Sequence, residues 1–122
     1  MTDVSIDELA RRLDEVASGA LTLLDVRTPE EYTGTGGQPC DPRQGHVPGA
    51  RNLDVYRLLA LPEDELRAEL DLPDRAEIIA YCHSGGRSGM AVEALRLLGY
   101  DARNYVGSWH EWSRRDELPL ER

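Results

Sequence analysis

Apolar positions along this chain change period several times, and each change marks an element. Ile6, Leu9, Ala10, Leu13, Val16 and Ala17 recur at spacings of three and four, which predicts one amphipathic helix. Ser5, three residues ahead of Glu8, supplies a capping box at its start, and Gly19 ends it. Leu21–Val26 is a short continuous apolar run closing on polar residues, the pattern of a strand buried on both faces. Pro29-Glu30-Glu31-Tyr32 reads as a brief helical turn with proline at its first position. Residues Gly34 to Gly49 hold five glycines and three prolines and form the long loop.

Ala50–Asp54 is a short strand candidate, followed by one or two helices over Asp54–Leu61 and Pro62–Leu70. Glu77–Cys82 is a second strong strand, running into His83-Ser84-Gly85-Gly86-Arg87-Ser88. A helix follows at once, with Met90, Ala91, Ala94, Leu95 and Leu98 on helical spacing and Gly99 at its end. Ala102–Val106 makes another strand, and Ser108–Arg115 a helical tail whose Trp109 and Trp112 share one face. Strands alternating with helices predict an α/β domain with a mostly parallel sheet, whose ligand site lies beyond the carboxyl ends of the strands. Tyr81-Cys82 stands at such an end.

Composition narrows the chemistry. At 122 residues, 1–122 is one compact domain, long enough to bury a core without staples. The net charge of −9 comes from 23 acids against 14 bases, which argues against nucleic acid or an anionic membrane surface as partner. Every one of those bases is arginine; with no lysine, Schiff-base chemistry and a Walker-type phosphate loop are excluded. Cys40 and Cys82 are too few for a disulfide scaffold or a four-cysteine zinc site. The three histidines are scattered, and none stands at metal-ligand spacing from a cysteine, so neither a metal nor a cofactor is expected. Met1–Ser5 leads into charged residues without an apolar leader, and no run approaches a bilayer span. A cytoplasmic, reducing compartment is the expectation, with both thiols free.

The segment after Cys82 carries the chemistry. Adjacent glycines allow a short loop to curl and aim successive N–H groups inward, and the next helix adds its unpaired N–H groups and positive dipole end. A cysteine at the centre of that ring has a lowered pKa and an anion site beside it, with Arg87 placed to close the ring. The competing reading is an inert buried cysteine followed by a turn. Four residues separate Cys82 from Arg87, whereas cysteine-dependent phosphatases place five there.

Here the sequence resembles the rhodanese (thiosulfate sulfurtransferase) family over nearly its whole length. Leu24-Asp25-Val26-Arg27 with Glu30-Glu31-Tyr32, then Gly45-His46-Val47-Pro48-Gly49-Ala50, Tyr81-Cys82-His83-Ser84-Gly85-Gly86-Arg87-Ser88 and Val106-Gly107-Ser108-Trp109-His110-Glu111-Trp112 match its four motifs in order. The resemblance implies a three-layer α/β/α domain around a sheet of about five strands. It implies a Cys82 thiolate that takes the outer sulfur of a small anionic donor such as thiosulfate. The persulfide is then held by the N–H groups from His83 to Ser88 until a thiol, a protein acceptor or cyanide removes the sulfur. No cofactor is implied. Donor signals conflict: Ser84 resembles the mercaptopyruvate-using branch, Arg87-Ser88 the single-domain thiosulfate branch, and Glu31 replaces a base that tandem enzymes carry. A sulfur-carrier module with little small-molecule turnover, and a phosphatase or arsenate reductase on the same scaffold, are the alternatives.

Asp25 and Arg27 are read as structural at a strand end, with a supporting role at the substrate site as the alternative. His46 is read as a turn residue, His83 as a neighbour able to tune the nucleophile, and His110 as a helix-surface residue. Cys40, in Gln-Pro-Cys-Asp-Pro-Arg, is read as a loop cysteine without a role, or else as a resolving thiol for the Cys82 persulfide.

Overall fold

The computed structural model describes residues 3–122; Met1 and Thr2, part of the stretch expected to lack a leader, lie outside the described residues. Four strands form one parallel sheet: β1 (Thr22–Asp25), β2 (Arg51–Asn52), β3 (Glu77–Tyr81) and β4 (Asp101–Asn104), in the order β2-β1-β3-β4. Leu24 pairs with Arg51 and Ala80, and Ile79 with Leu23 and Arg103, so the register is continuous across the sheet. The expected count of about five is corrected to four. Beyond β4 the sheet continues only as an isolated parallel bridge between Val4 and Tyr105, because the chain turns into a helix two residues after Val4.

Strand periodicity sorts the core into two layers. Leu24, Val26, Ile78, Ala80, Cys82 and Ala102 face one side, against α4 (Val55–Ala60), α5 (Glu63–Leu70) and α6 (Gly86–Leu97). Leu21, Leu23, Ile79, Tyr81 and Tyr105 face the other, against α1 (Ile6–Arg11), α2 (Leu13–Ser18) and α7 (Ser108–Trp112). This is the expected α/β/α layering, and burial on both faces explains why β1 and β3 read as continuous apolar runs.

The single helix expected over residues 6–17 is two. At Arg12 the backbone (φ −105°, ψ 12°) leaves the helical region, and its N–H bonds back three residues to Leu9 rather than four. The Arg12 guanidinium is held by Glu77 at the start of β3 and by Glu15. Ser5 caps the helix, accepting from the Glu8 N–H at 3.1 Å, but the reciprocal half of the expected capping box does not form, because the Glu8 carboxylate pairs with Arg103. The Pro29 turn is α3 (Pro29–Thr33), closed by a full capping box between Thr28 and Glu31.

The long loop contains no helix or strand, yet it is firmly docked. Arg43 donates to the carbonyls of Trp112, Ser113, Arg115 and Leu118, satisfying the open C-terminal end of α7. Trp109 returns its indole N–H to the Arg43 carbonyl at 3.0 Å. Both tryptophans are fully buried core residues. No helix among the described residues is long and apolar enough to cross a membrane.

Two leucines on one helix separate burial from helix propensity. Leu95 is 0% exposed and Leu97 88%. Chemical denaturation of Leu95→Ala should show a loss of about 2–5 kcal/mol. Leu97→Ala should stay within about 0.5 kcal/mol of the parent.

Candidate active site

The chain runs outward from β1 to β2 on one side, then returns to place β3 on the other side of β1. The crevice beyond the carboxyl ends of β1 and β3 is therefore the topological switch point of the sheet, where such folds hold ligands. Asp25 and Arg27 stand at the end of β1, and Cys82 directly follows β3.

Cys82 is 1% exposed, and its sulfur lies at the bottom of a ring of donors. The Gly85 N–H reaches Sγ at 3.1 Å, the Ser88 N–H at 3.4 Å, and the Ser88 hydroxyl lies at 3.3 Å. Gly85 is what permits the turn. Its φ of +98° is in the left-handed region, and a Cβ there would sit 2.8 Å from the Val106 carbonyl oxygen. Gly86 needs no such freedom and opens α6, so Gly86, Arg87 and Ser88 form the first helical turn rather than a loop. Ser88 is thus the third helical residue, and its N–H is one of the unpaired group at the helix start. Burial raises the Cys82 thiol pKa. The Ser88 hydroxyl and the N–H groups of Ser88, Gly85 and Ser84 more than offset this, leaving it below the ordinary thiol value.

Ser108, which was not singled out as a site residue, supports the ring from behind. It is fully buried at φ +57°; its hydroxyl accepts the Cys82 N–H at 3.0 Å and donates to the Tyr105 carbonyl at 2.9 Å. The N–H groups of Trp109 and His110 then donate to the carbonyls of Cys82 and His83. The start of α7 therefore fixes the backbone at Cys82. The signal was present in Val106-Gly107-Ser108-Trp109, read as a motif without a role for its serine.

Arg87 does not close the ring around the sulfur as expected. Its guanidinium is bidentate to Glu31, at 2.8 and 3.1 Å. Burial raises the Glu31 pKa, and the Arg87 hydrogen bonds and Thr28 N–H override it, bringing it down to about 2. Glu31 is thus both the capping-box acid of α3 and the anchor that ties α3 to the first turn of α6. Thr-Pro-Glu-Glu carried the capping signal; nothing local in sequence announced the arginine partner.

Asp25 and Arg27 form a fully buried pair, with contacts of 2.7 to 3.1 Å, and Arg27 also donates to the Gly45 carbonyl. The Arg27 guanidinium lies over the rings of Trp109 and Tyr81. All of these contacts tie β1, the long loop and α7 together. His46 is buried, stacked on Tyr32 at 3.7 Å with its Nδ1 2.8 Å from the Tyr32 carbonyl oxygen.

The picture of scattered histidines is corrected. His83 and His110 come together, their rings 5.4 Å apart and edge-on, and the long loop brings Cys40 and Asp41 to the same place. Cys40 points its thiol toward the Asp41 carboxylate at 3.8 Å. Beside this cluster lies a cleft of about 520 Å³ lined by Ser84, Val106, Gly107, His110, Arg114 and Arg115, among others. Cys82 itself does not line it; Ser84 does.

A thiol sunk among inward-aimed N–H groups at the switch point of a parallel sheet is an arrangement able to stabilise negative charge on sulfur. Comparison with known proteins gives the family. The rhodanese-like domain family matches residues 5–115, and the chain belongs to that family. It is 40% identical over 119 residues to a thiosulfate sulfurtransferase of Corynebacterium glutamicum, covering 85% of this chain and 39% of that protein. It is 34% identical over 131 residues to the sulfur carrier protein TtuD of Thermus thermophilus, covering 93% of this chain and 46% of that one. The structure of the human single-domain sulfurtransferase TSTD1 superimposes with a TM-score of 0.69 at 32% identity, covering 94% of this chain and 97% of that one. The chain thus spans less than half the length of these two bacterial relatives and nearly the full length of the human one.

The Glu31–Arg87 pair sets a pH dependence. Glu31 has its pKa lowered in the folded state, so its contribution is complete above the ordinary value of 4.5 and is lost as pH falls toward about 2. Denaturation midpoints of the parent and Glu31→Gln should therefore differ clearly at pH 6 and converge as pH falls toward 2; a constant gap would exclude the pair as the cause.

Proposed function

We propose that this chain is a sulfurtransferase that carries a sulfane sulfur as a persulfide on Cys82. The observation that supports it is the donor ring on a buried sulfur: two N–H groups and one hydroxyl within 3.4 Å, built for a negative charge on that atom. The Cys82 thiolate attacks the outer sulfur of a donor such as thiosulfate. The new Cys82 S–S bond forms as the S–S bond of the donor breaks, and sulfite departs with the electron pair. The terminal persulfide sulfur, still anionic, then occupies the ring, held by the backbone from His83 to Ser88. A thiol, a protein acceptor or cyanide attacks that sulfur and returns Cys82 as thiolate. Two covalent half-reactions give ping-pong kinetics, and preorganised donors supply the stabilisation.

The Glu31 pairing argues against phosphatase or arsenate reductase chemistry, because it occupies the guanidinium that such an oxyanion would need. The donor is small and anionic, and the net charge of −9 argues against nucleic acid or an anionic membrane as partner. The 122 residues work as one catalytic unit in the cytoplasm, where the thiol stays reduced. A second reading, a carrier that hands its persulfide to a protein partner, is favoured by the relation to the sulfur carrier of Thermus thermophilus.

Intact mass spectrometry after incubation with thiosulfate tests the proposal. The parent should gain one sulfur atom and release it on addition of cyanide, and Cys82→Ser should gain none. An adduct that cyanide removes only negligibly points to the carrier. Absence of an adduct, or an adduct that survives Cys82→Ser, overturns the persulfide mechanism.

A further inference from the structure

The cluster at the cleft mouth is built from donors of three chemical kinds. One sulfur of Cys40, one carboxylate oxygen of Asp41 and one ring nitrogen each of His83 and His110 all lie within 4.8 Å of one another. They come from three separate elements: the long loop, the segment after β3, and α7. Asp41 is the centre. It is 6% exposed, and its two oxygens differ. Oδ1 accepts from the Arg114 guanidinium at 2.9 Å and lies 3.1 Å from Nε2 of His83. Oδ2 is buried without a hydrogen bond; it lies 3.0 Å from His83 Nε2, outside hydrogen-bond geometry. A buried carboxylate oxygen without a partner is costly, and its environment calls for a cation.

We propose that Cys40, Asp41, His83 and His110 bind a divalent transition metal of the zinc class. Sulfur, imidazole and a single carboxylate oxygen suit a tetrahedral borderline-soft ion and do not suit magnesium or calcium, which take oxygen ligands. Asp41 supplies the oxygen ligand: Oδ1 lies 3.8 Å from both Cys40 Sγ and His110 Nδ1, and Oδ2 is the buried oxygen without a hydrogen bond. Arg114 donates to the Asp41 carboxylate at 2.9 Å and to the Cys40 carbonyl at 2.8 Å, orienting both ligands. The 4.8 Å spread is wider than a closed tetrahedron, so binding draws the side chains inward. Cys40 and His110 are exposed and have room for it, while Arg43 and the Trp109 indole hold the loop against α7. On binding, the Cys40 thiol gives its proton to solvent and the metal replaces the His83–Asp41 hydrogen bond. The negative thiolate and carboxylate balance the two charges of the ion. The metal then clasps the residue that follows Cys82 to the long loop and to α7. The inference stands apart from the persulfide chemistry, since none of its ligands is the Cys82 sulfur.

Cobalt(II) titration of the reduced protein tests it directly. The parent should develop, at one equivalent, a thiolate-to-cobalt charge-transfer band in the near ultraviolet and the visible bands of a tetrahedral ion. Zinc should bleach both. Cys82→Ser should behave as the parent. Cys40→Ser should lose the charge-transfer band, and His110→Ala should bind at least about tenfold more weakly, since a lost ligand costs no less than a lost outer-shell partner. Both changes fall on exposed side chains, and circular dichroism checks that the fold is kept. No band in the parent overturns the proposal. So does a band that persists in Cys40→Ser, or one that disappears in Cys82→Ser, which would place the metal on the nucleophile.

Discussion

A buried sulfur can carry negative charge only if hydrogen-bond donors surround it, and most of this structure follows from that requirement. Burial alone pushes the Cys82 thiol up; the Ser88 hydroxyl and three N–H groups bring it below the ordinary value. Those donors point inward because the chain turns at Gly85 into a conformation that other residues resist and then enters α6 immediately. The turn in turn needs support: Asn104 donates to the Gly85 carbonyl, and Ser108 holds the Cys82 N–H from the opposite side. The ring is therefore the meeting point of β3, β4, α6 and α7, and no single segment makes it.

The surrounding ion pairs act as struts for that ring. Glu31 anchors the first turn of α6 through Arg87, so the arginine near Cys82 serves position rather than direct contact with sulfur. Asp25 and Arg27 perform the same service between β1, the long loop and α7. Removing one partner of such a pair leaves a buried charge, which is why these residues are structurally demanding even where they do not touch the reacting atom. With a net charge of −9, any attraction for the proposed anionic donor has to be local, from the N–H groups of the ring itself.

The layered α/β fold was legible because β1 and β3 are continuous apolar runs and α6 is periodic, features that depend on local sequence alone. The donor ring at Cys82 was legible for the same reason: strand, cysteine, glycines and helix follow one another within a dozen residues. What the sequence did not reveal was tertiary. The break at Arg12 involves a contact with Glu77, 65 residues away. The Glu31–Arg87 pair spans 56 residues. Asp41 meets His83 across 42 residues, and scattered histidines carry no spacing signal when a docked loop brings them together. The strand count fell short of five because a single Val4 bridge occupies the outer edge.

The central claim is that the ring lowers the Cys82 thiol pKa despite its burial. The pH dependence of iodoacetamide alkylation, measured in a Cys40→Ser background so that only Cys82 reports, tests this most directly. The account predicts an apparent pKa below that of an ordinary thiol, moving upward in Ser88→Ala, which removes the strongest donor. A Cys82 that titrates at or above the ordinary value, with no response to Ser88→Ala, would contradict it.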